Sequence, residues 1–314
     1  MRAPDLSAAP RDTVGIVIHL DDAQVSTLLP SPTEQIALMR ETLLALADGA
    51  ASVTPKSQVS HEEGGFANAM PAAWPERGLL GMKWVTITPS NRERGREMIS
   101  GLMVLSATDG STRATMDAAE LTAQRTAAVT GASLALDDRP ITFLGTGVQA
   151  RSHARVVAAL GRGPLTVWGR RPEALEELVA WCAAHIPDLE LRTTTDRARA
   201  LEGAGVVISG LPVGLSGLAL APGEVPDDAT LLPLDYGTVA GAEISRTGTV
   251  VADDARQFES LRPLKHGEDY PRATAATGDL LRAGRPDGLV VAQNLGSGLE
   301  DVVLADRIAR AAGA

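Results

Sequence analysis

The chain holds a single cysteine, Cys182, in 314 residues. A disulfide framework is therefore excluded, and stability has to come from packed cores. Cys182 sits among Leu178, Val179 and Trp181 and is expected to be buried filler. Aromatic residues make up only 3% of the chain, and the tryptophans are scattered rather than interleaved with basic runs. Base stacking on nucleic acid has no support in that pattern. Positive charge is short as well: 29 Lys and Arg face 39 Asp and Glu, for a net charge of −10. Such a balance argues against nucleic acid or an anionic membrane as the main partner. No apolar run is long enough to span a bilayer. The first thirteen residues lack the apolar core of a secretory signal, so a cytoplasmic location is the default expectation. The histidines at 19, 61, 153, 185 and 266 have no metal-ligand spacing, and His153 is expected to be exposed on its helix. No metal site is expected, and no Ser/His/Asp or Cys/His constellation is evident.

What the chain does have is a strand, a tight turn and a helix in immediate succession. The apolar run 141–144 ends in Gly145-Thr146-Gly147-Val148-Gln149-Ala150, and a helical pattern with Val156, Val157 and Leu160 on one face follows. This is the G-x-G-x-x-A spacing of a dinucleotide-binding turn. Gly145 permits the turn, Gly147 lets a pyrophosphate approach the backbone, and Ala150 lets the helix pack closely. Free N–H groups at the helix start would hold the phosphates. A second strand, 164–168, leads into Gly169, Arg170 and Arg171, where an NAD-preferring fold would carry an acidic residue for the ribose 2′-hydroxyl. Guanidinium groups there can pair with a 2′-phosphate, so NADP(H) is expected to be preferred, with NAD(H) possible.

Further strand and helix signals alternate through 205–210, 231–237, 249–254 and 288–293. The alternation predicts a parallel sheet with helices on both faces. Ahead of it lie a strand at 14–20, a helix opened by the capping box Ser31-Pro32-Thr33-Glu34, several strands between 52 and 106, and a long helix over 117–136. The fold class is therefore α/β. A Rossmann-type doubly wound nucleotide-binding domain over about 120–294 is joined to an α/β substrate and dimerisation domain over 1–119. The last helix, within about 295–314, is expected to return to the N-terminal unit. Substrate would lie between the two, beyond the carboxyl ends of the parallel strands. Asp235 follows an apolar strand and precedes Gly237. It would either face that crevice or cap the turn. The pair Asp253-Asp254 reads as a plain loop cap.

Four stretches together resemble the ornithine cyclodeaminase/mu-crystallin family. They are Gly81-Met82-Lys83-Trp84 through Pro89-Ser90-Asn91, Met116-Asp117 through Arg125-Thr126-Ala127-Ala128, the glycine turn itself, and Asn294-Leu295-Gly296-Ser297-Gly298-Leu299-Glu300-Asp301. The resemblance runs from about residue 14 to the C-terminus. It implies hydride exchange between a nicotinamide and the α-carbon of an amino or imino acid, in a homodimer whose N-terminal sheets pair. It further implies that Lys83 and Arg125 hold the substrate carboxylate and that Asp235, with Lys83, is catalytic. Asp235 would face the substrate nitrogen, where a carboxylate stabilises the cation and relays its proton. Thr126, Asn294 and Gly296 would face the cofactor.

Two departures from the family pattern stand out. Lys56 falls where a family arginine reaches the carboxylate, which keeps the charge but loses the planar fork. Asn68 stands where ornithine cyclodeaminases carry a glutamate for the side-chain amine, and a neutral amide pairs poorly with an ammonium. With Arg170 and Arg171, this favours an NADPH-dependent imine reductase or amino-acid dehydrogenase. The alternatives are an ornithine- or lysine-type cyclodeaminase with bound NAD and, further off, a non-catalytic NADPH-binding protein.

Overall fold

The computed structural model describes residues 17–212 and 215–314. Its strands fall into two sheets. The first is built from β1 (Ile18–Leu20), β2 (Ser52–Val53), β3 (Ser57–Glu62), β4 (Gly65–Trp74), β5 (Leu79–Ile87), β6 (Ile99–Ser106) and β7 (Thr112–Asp117). They run in the order β1-β7-β6-β5-β4-β2, with β3 also on β4. All pairs are antiparallel except β1 with β7.

Directly opposed residues of an antiparallel sheet share a face. The register Met70–Lys83–Met103–Met116 thus lines up four side chains across four strands, all at most 2% exposed. Lys83 is the one charge in that row. The opposite face carries Ala69, Trp84 and Leu102 in the neighbouring register, and Trp84 and Leu102 are more than a third exposed.

The second sheet comprises β8 (Ile141–Leu144), β9 (Leu165–Trp168), β10 (Leu191–Thr194), β11 (Val206–Ser209), β12 (Thr230–Pro233), β13 (Thr249–Ala252), β14 (Ala275–Ala276) and β15 (Val290–Gln293). Every pair is parallel, in the order β10-β9-β8-β11-β12-β15-β13-β14. The fully buried runs of β8 and β11 fit a sheet covered on both sides. From β8 the chain steps outward to β9 and β10 on one side, and to β11 and β12 on the other. The crevice at the carboxyl ends of β8 and β11 is therefore the topological switch point of a doubly wound sheet.

The helices are α1 (Asp22–Leu28), α2 (Pro32–Ala47), α3 (Ala119–Ser133), α4 (Val148–Ala159), α5 (Pro172–His185), α6 (Arg197–Leu201), α7 (Ala242–Ser245), α8 (Ala255–Lys265), α9 (Thr277–Ala283) and α10 (Gly298–Ala311). The Ser31/Glu34 capping box opens α2 as its sequence predicts. An equivalent Asp21/Gln24 box opens α1, which the hydrophobic pattern did not reveal.

Helix α3 starts two residues later than the pattern predicts, because Asp117 is still paired with Leu102 in the sheet. Residues 14–16 of the strand expected at 14–20 lie outside the described residues. Strand β12 stops at Pro233, so Asp235 stands beyond its carboxyl end, and Tyr236 adopts a left-handed φ of 56°.

Helix α10 leaves the second sheet and packs on β4, β5 and β6 of the first, and against α2 and α3. Leu299, Val302, Leu304, Ala305 and Ile308 are completely buried there. No helix among the described residues is long and apolar enough to cross a membrane.

Candidate active site

At the end of β8 the ladder continues into the glycine turn. Gly145 N–H donates to Trp168 O at 2.9 Å and Gly210 N–H to Leu144 O at 2.9 Å. Gly145 has φ +128°, and a Cβ there would meet Gly210 O at 2.8 Å, so only glycine is accommodated. Helix α4 then begins with Gly147 as an N-cap that offers no side chain. Space over Gly147 is open to beyond 4 Å, and the Oε1 of Gln149 in the first turn is buried without a partner. Uncapped N–H groups beside open space are what a pyrophosphate requires. Thr146 packs against Gly169, and Ala150 is buried against the sheet. Arg170 and Arg171 are exposed beyond β9, and neither forms an ion pair among the described residues.

Between β5, α3 and the start of α10 lies a buried ionic cluster. Lys83 donates to Asp301 Oδ1 at 2.7 Å and to Thr122 Oγ1 at 3.2 Å. Arg125 on α3 donates from Nε to Asp301 Oδ1 at 2.9 Å and from Nη1 to Glu300 Oε2 at 3.2 Å. Its Nη2 makes no hydrogen bond among the described residues. Lys56 donates to Leu295 O at 2.5 Å. Asp253 accepts from Gly296 N–H at 2.5 Å. Three cations thus meet three carboxyls, all buried except the half-buried Lys56, and out of water each charge is expensive unless compensated.

Their acidities divide accordingly. Burial lowers Lys83 to about 7 and Lys56 to about 8, with Arg125 pushing both the same way. Burial and the neighbouring Asp253 raise Glu300 to about 8. Burial pushes Asp301 upward too, but the Arg125 and Lys83 charges outweigh it and hold that carboxyl below its ordinary range. Asp301 is the fixed anion of the cluster, and Glu300 is mostly protonated at neutral pH.

Asp235 is 1% exposed. Its Oδ1 accepts from Ser209 Oγ at 3.0 Å and its Oδ2 from Leu211 N–H at 3.1 Å. Burial raises it to about 6, and these two hydrogen bonds only partly oppose the shift. A carboxyl that titrates there is suited to holding and releasing a proton near neutrality. Burial likewise raises the hydroxyl of the adjoining Tyr236, while the Arg125 charge pulls it down. The Asp235 loop is therefore within electrostatic reach of the cluster.

The chain matches the model of the ornithine cyclodeaminase/mu-crystallin family over residues 19–213. It belongs to this family. It is 32% identical over 171 residues to Delta(1)-pyrroline-2-carboxylate reductase 2 of Burkholderia ambifaria, an alignment covering 52% of this chain and 53% of that enzyme. The chain spans about half the length of the curated reductases it matches.

Among solved structures, the Thermococcus litoralis Delta(1)-pyrroline-2-carboxylate reductase in complex with NADH and L-proline superposes with a TM-score of 0.79. Identity is 18%, covering 94% of this chain and 97% of that one. An archaeal alanine dehydrogenase dimer with bound NAD gives a TM-score of 0.79 at 21% identity, covering 94% and 96%. Likeness at that identity establishes the shared fold.

Of the residues expected from the sequence, Lys56, Lys83, Arg125 and Gly296 converge on the charge cluster. Gly296, at φ +81°, packs against the Arg125 guanidinium, which a Cβ would approach to 2.2 Å. Asn68 is 4% exposed on β4, opposite Gln58 and Val85, with its Oδ1 unpartnered. Asn294 spends its amide on Thr277 and Ser133 at 2.7 and 3.0 Å, which fixes the course of its loop. Thr126 bonds back to Thr122 O at 2.7 Å.

Two expectations are corrected. His153 is fully buried rather than exposed, because its face of α4 packs on Phe143 and on Thr130 of α3. Burial lowers it to about 4, so the ring is neutral. Of the pair read as a loop cap, Asp254 does cap α8, but Asp253 is fully buried in the charge cluster. Sequence reasoning missed Asp253, Glu300 and Asp301 as site residues. The available signal was an acidic pair embedded in the apolar opening of α10, where the helix dipole favours carboxylates but burial does not.

Glu300 and Asp301 should respond unequally to neutralisation. Asp301→Asn removes the anion shared by Lys83 and Arg125, and a cost of about 3–5 kcal/mol is expected from breaking such a buried pair. Glu300→Gln replaces a carboxyl that is already mostly protonated, and should cost under about 1 kcal/mol at pH 7. Denaturant unfolding at that pH checks both, and equal losses would contradict the assignment of the charge to Asp301.

Proposed function

We propose that this protein is an NAD(P)H-dependent oxidoreductase acting on the C–N bond of an amino or imino acid. The observation that carries the proposal is that three features stand beyond the carboxyl ends of the strands of one parallel sheet. These are a carboxylate-receptive Lys83/Arg125 pair, a near-neutral Asp235, and a glycine turn at the switch point of a parallel sheet. The names of the similar proteins, imine reductases and an alanine dehydrogenase, support the same class.

Gly145 to Ala150 would hold the dinucleotide, whose nicotinamide supplies or accepts the hydride. Arg125 offers its unused Nη2 edge, and Lys83 a further proton, to the substrate carboxylate. Lys56 adds positive potential at the rim. The substrate nitrogen then faces Asp235. In the reductive direction the protonated Asp235 carboxyl would give its proton to the imine nitrogen, and the iminium so formed would accept hydride at its α-carbon to become a neutral amine. In the oxidative direction the carboxylate takes it back. Ser209 and Leu211 keep the carboxylate oriented meanwhile. We infer a preference for NADP(H) from the unpaired Arg170 and Arg171. We also infer a homodimer formed through the apolar sheet face bearing Trp84 and Leu102, since an exposed apolar patch of this kind marks an interface.

Asp235→Asn should lower turnover by roughly 10²–10⁴ with cofactor affinity unchanged, and should erase the limb of the pH–rate profile near pH 6. The same variant should keep or raise Tm at pH 7.5. In the wild type the folded carboxyl binds its proton more tightly than the unfolded one, so stability falls as pH rises from about 4 to 6. Asn has no such ionisation to suffer. A sharply lowered Tm would make Asp235 a structural residue instead.

Replacing Arg170 and Arg171 together with alanine should weaken NADPH binding over NADH binding by at least roughly tenfold. Equal weakening would remove the NADP preference. Trp84→Glu should shift the protein from dimer to monomer in sedimentation, and an unchanged mass would place the interface elsewhere.

A further inference from the structure

Beside Tyr236, the neighbour of Asp235, stands a cation that the proposed chemistry leaves unused. Lys265, the last residue of α8, reaches across to the first sheet. Its Nζ donates to Gln58 Oε1 at 2.8 Å, lies 3.9 Å from the centre of the Phe66 ring and 5.3 Å from that of Tyr236. Among the described residues it has no carboxylate partner, although it is only half exposed. The acidic residues flanking it in sequence form no ion pair with it. Glu259 pairs with Arg262 and Arg272, and Glu268 is exposed.

Register ties Lys265 to the substrate side of the crevice. Gln58 is opposite Asn68, and Phe66 and Asn68 share a face of β4 with Met70 and, through it, Lys83. Tyr236 adjoins Asp235. Two further polar groups here are unsatisfied: Asn68 Oδ1, and both ring nitrogens of His266, which packs against Tyr236. Burial, together with Arg262 and Lys265, lowers His266 to about 4, so its ring is neutral and Lys265 supplies the charge. Burial alone, with no anion to offset it, lowers Lys265.

We propose that Lys265 reads the distal end of the substrate, and that the amino or imino acid handled here carries a second carboxylate on its side chain. A carboxylate in this position gives the half-buried ammonium its missing counter-charge, and it can accept a charge-assisted hydrogen bond. A purely aliphatic side chain leaves the ammonium uncompensated, and a side-chain amine, as in a diamino acid, is repelled. The neutral His266 ring offers one imidazole N–H donor to the same group, and the Asn68 amide, whose unpartnered atom is its oxygen, adds no opposing charge. This inference rests on the reading of the crevice as an amino- or imino-acid site.

The test is calorimetric titration of the protein–NADP⁺ complex with L-glutamate against L-norvaline and L-aspartate against L-2-aminobutyrate, with L-proline and L-alanine alongside. Wild type, Lys265→Met and Lys265→Arg are compared, and initial rates are followed through the nicotinamide absorbance. In the wild type one acidic ligand should bind at least roughly tenfold more tightly than its neutral counterpart, the factor a charge-assisted contact provides. Lys265→Arg should retain the preference, and Lys265→Met should bring the ratio close to one.

A ratio near one in the wild type, or one that survives in Lys265→Met, overturns the inference. If L-proline or L-alanine is nevertheless bound and oxidised, the oxidoreductase reading stands without it. If no amino acid binds or turns over, both fall together.

Discussion

Everything in the candidate site depends on one long-range contact, the return of the last helix to the first sheet. The chain leaves β15 at Gln293, turns through Gly296 and lays α10 across β4, β5 and β6. That path sets Asp301 against Lys83, 218 residues away, and against Arg125, 176 residues away. The apolar side chains of α10 make the packing favourable. The carboxyls in its first turn make it specific, because two cations that would be intolerable alone in the core become a compensated pair.

Burial then sorts the acidic groups into different chemical roles without changing their identity. Asp301, held by two cations, stays ionised and anchors the cluster. Glu300, one residue away, is pushed toward its neutral form first by burial and then by the negative charge of Asp253 and Asp301. Asp235 is buried with no cation in contact, and the hydrogen bonds from Ser209 and the Leu211 and Val239 amides offset burial only in part, so it titrates at about 6. The three carboxyls divide between holding charge, holding a proton and exchanging one. The two lysines are similarly weakened as bases, which leaves Arg125 as the permanent cation of the site.

Much of this was legible along the chain. The glycine turn, its strands and helix α4 follow from local rules about turns, period and capping. The structure reproduces 141–144 as β8 without adjustment. Lys83, Arg125 and Asp235 drew attention through the resemblance, while their surroundings were beyond the reach of local pattern. Nothing near Lys83 in sequence indicates that its partner lies on the last helix. Asp253 looked like its neighbour Asp254, a cap, and only the approach of the Gly296 amide separates them. His153 was misjudged because helix α3 covers the side of α4 that a lone amphipathic helix would turn to water. The failures share one cause, since burial by a distant element changes what a polar residue means.

The most direct measurement is a crystal structure of the protein with NADP⁺ and a bound amino acid. If the cluster is a carboxylate receptor, the ligand carboxylate lies within hydrogen-bonding distance of Lys83 and the Nη2 edge of Arg125. Its nitrogen then faces Asp235, and Asp301 still joins the two cations. A ligand carboxylate bound away from both cations, with the Lys83–Asp301–Arg125 contacts undisturbed, would show that the cluster only holds α10 to the sheet. The functional reading would then be contradicted.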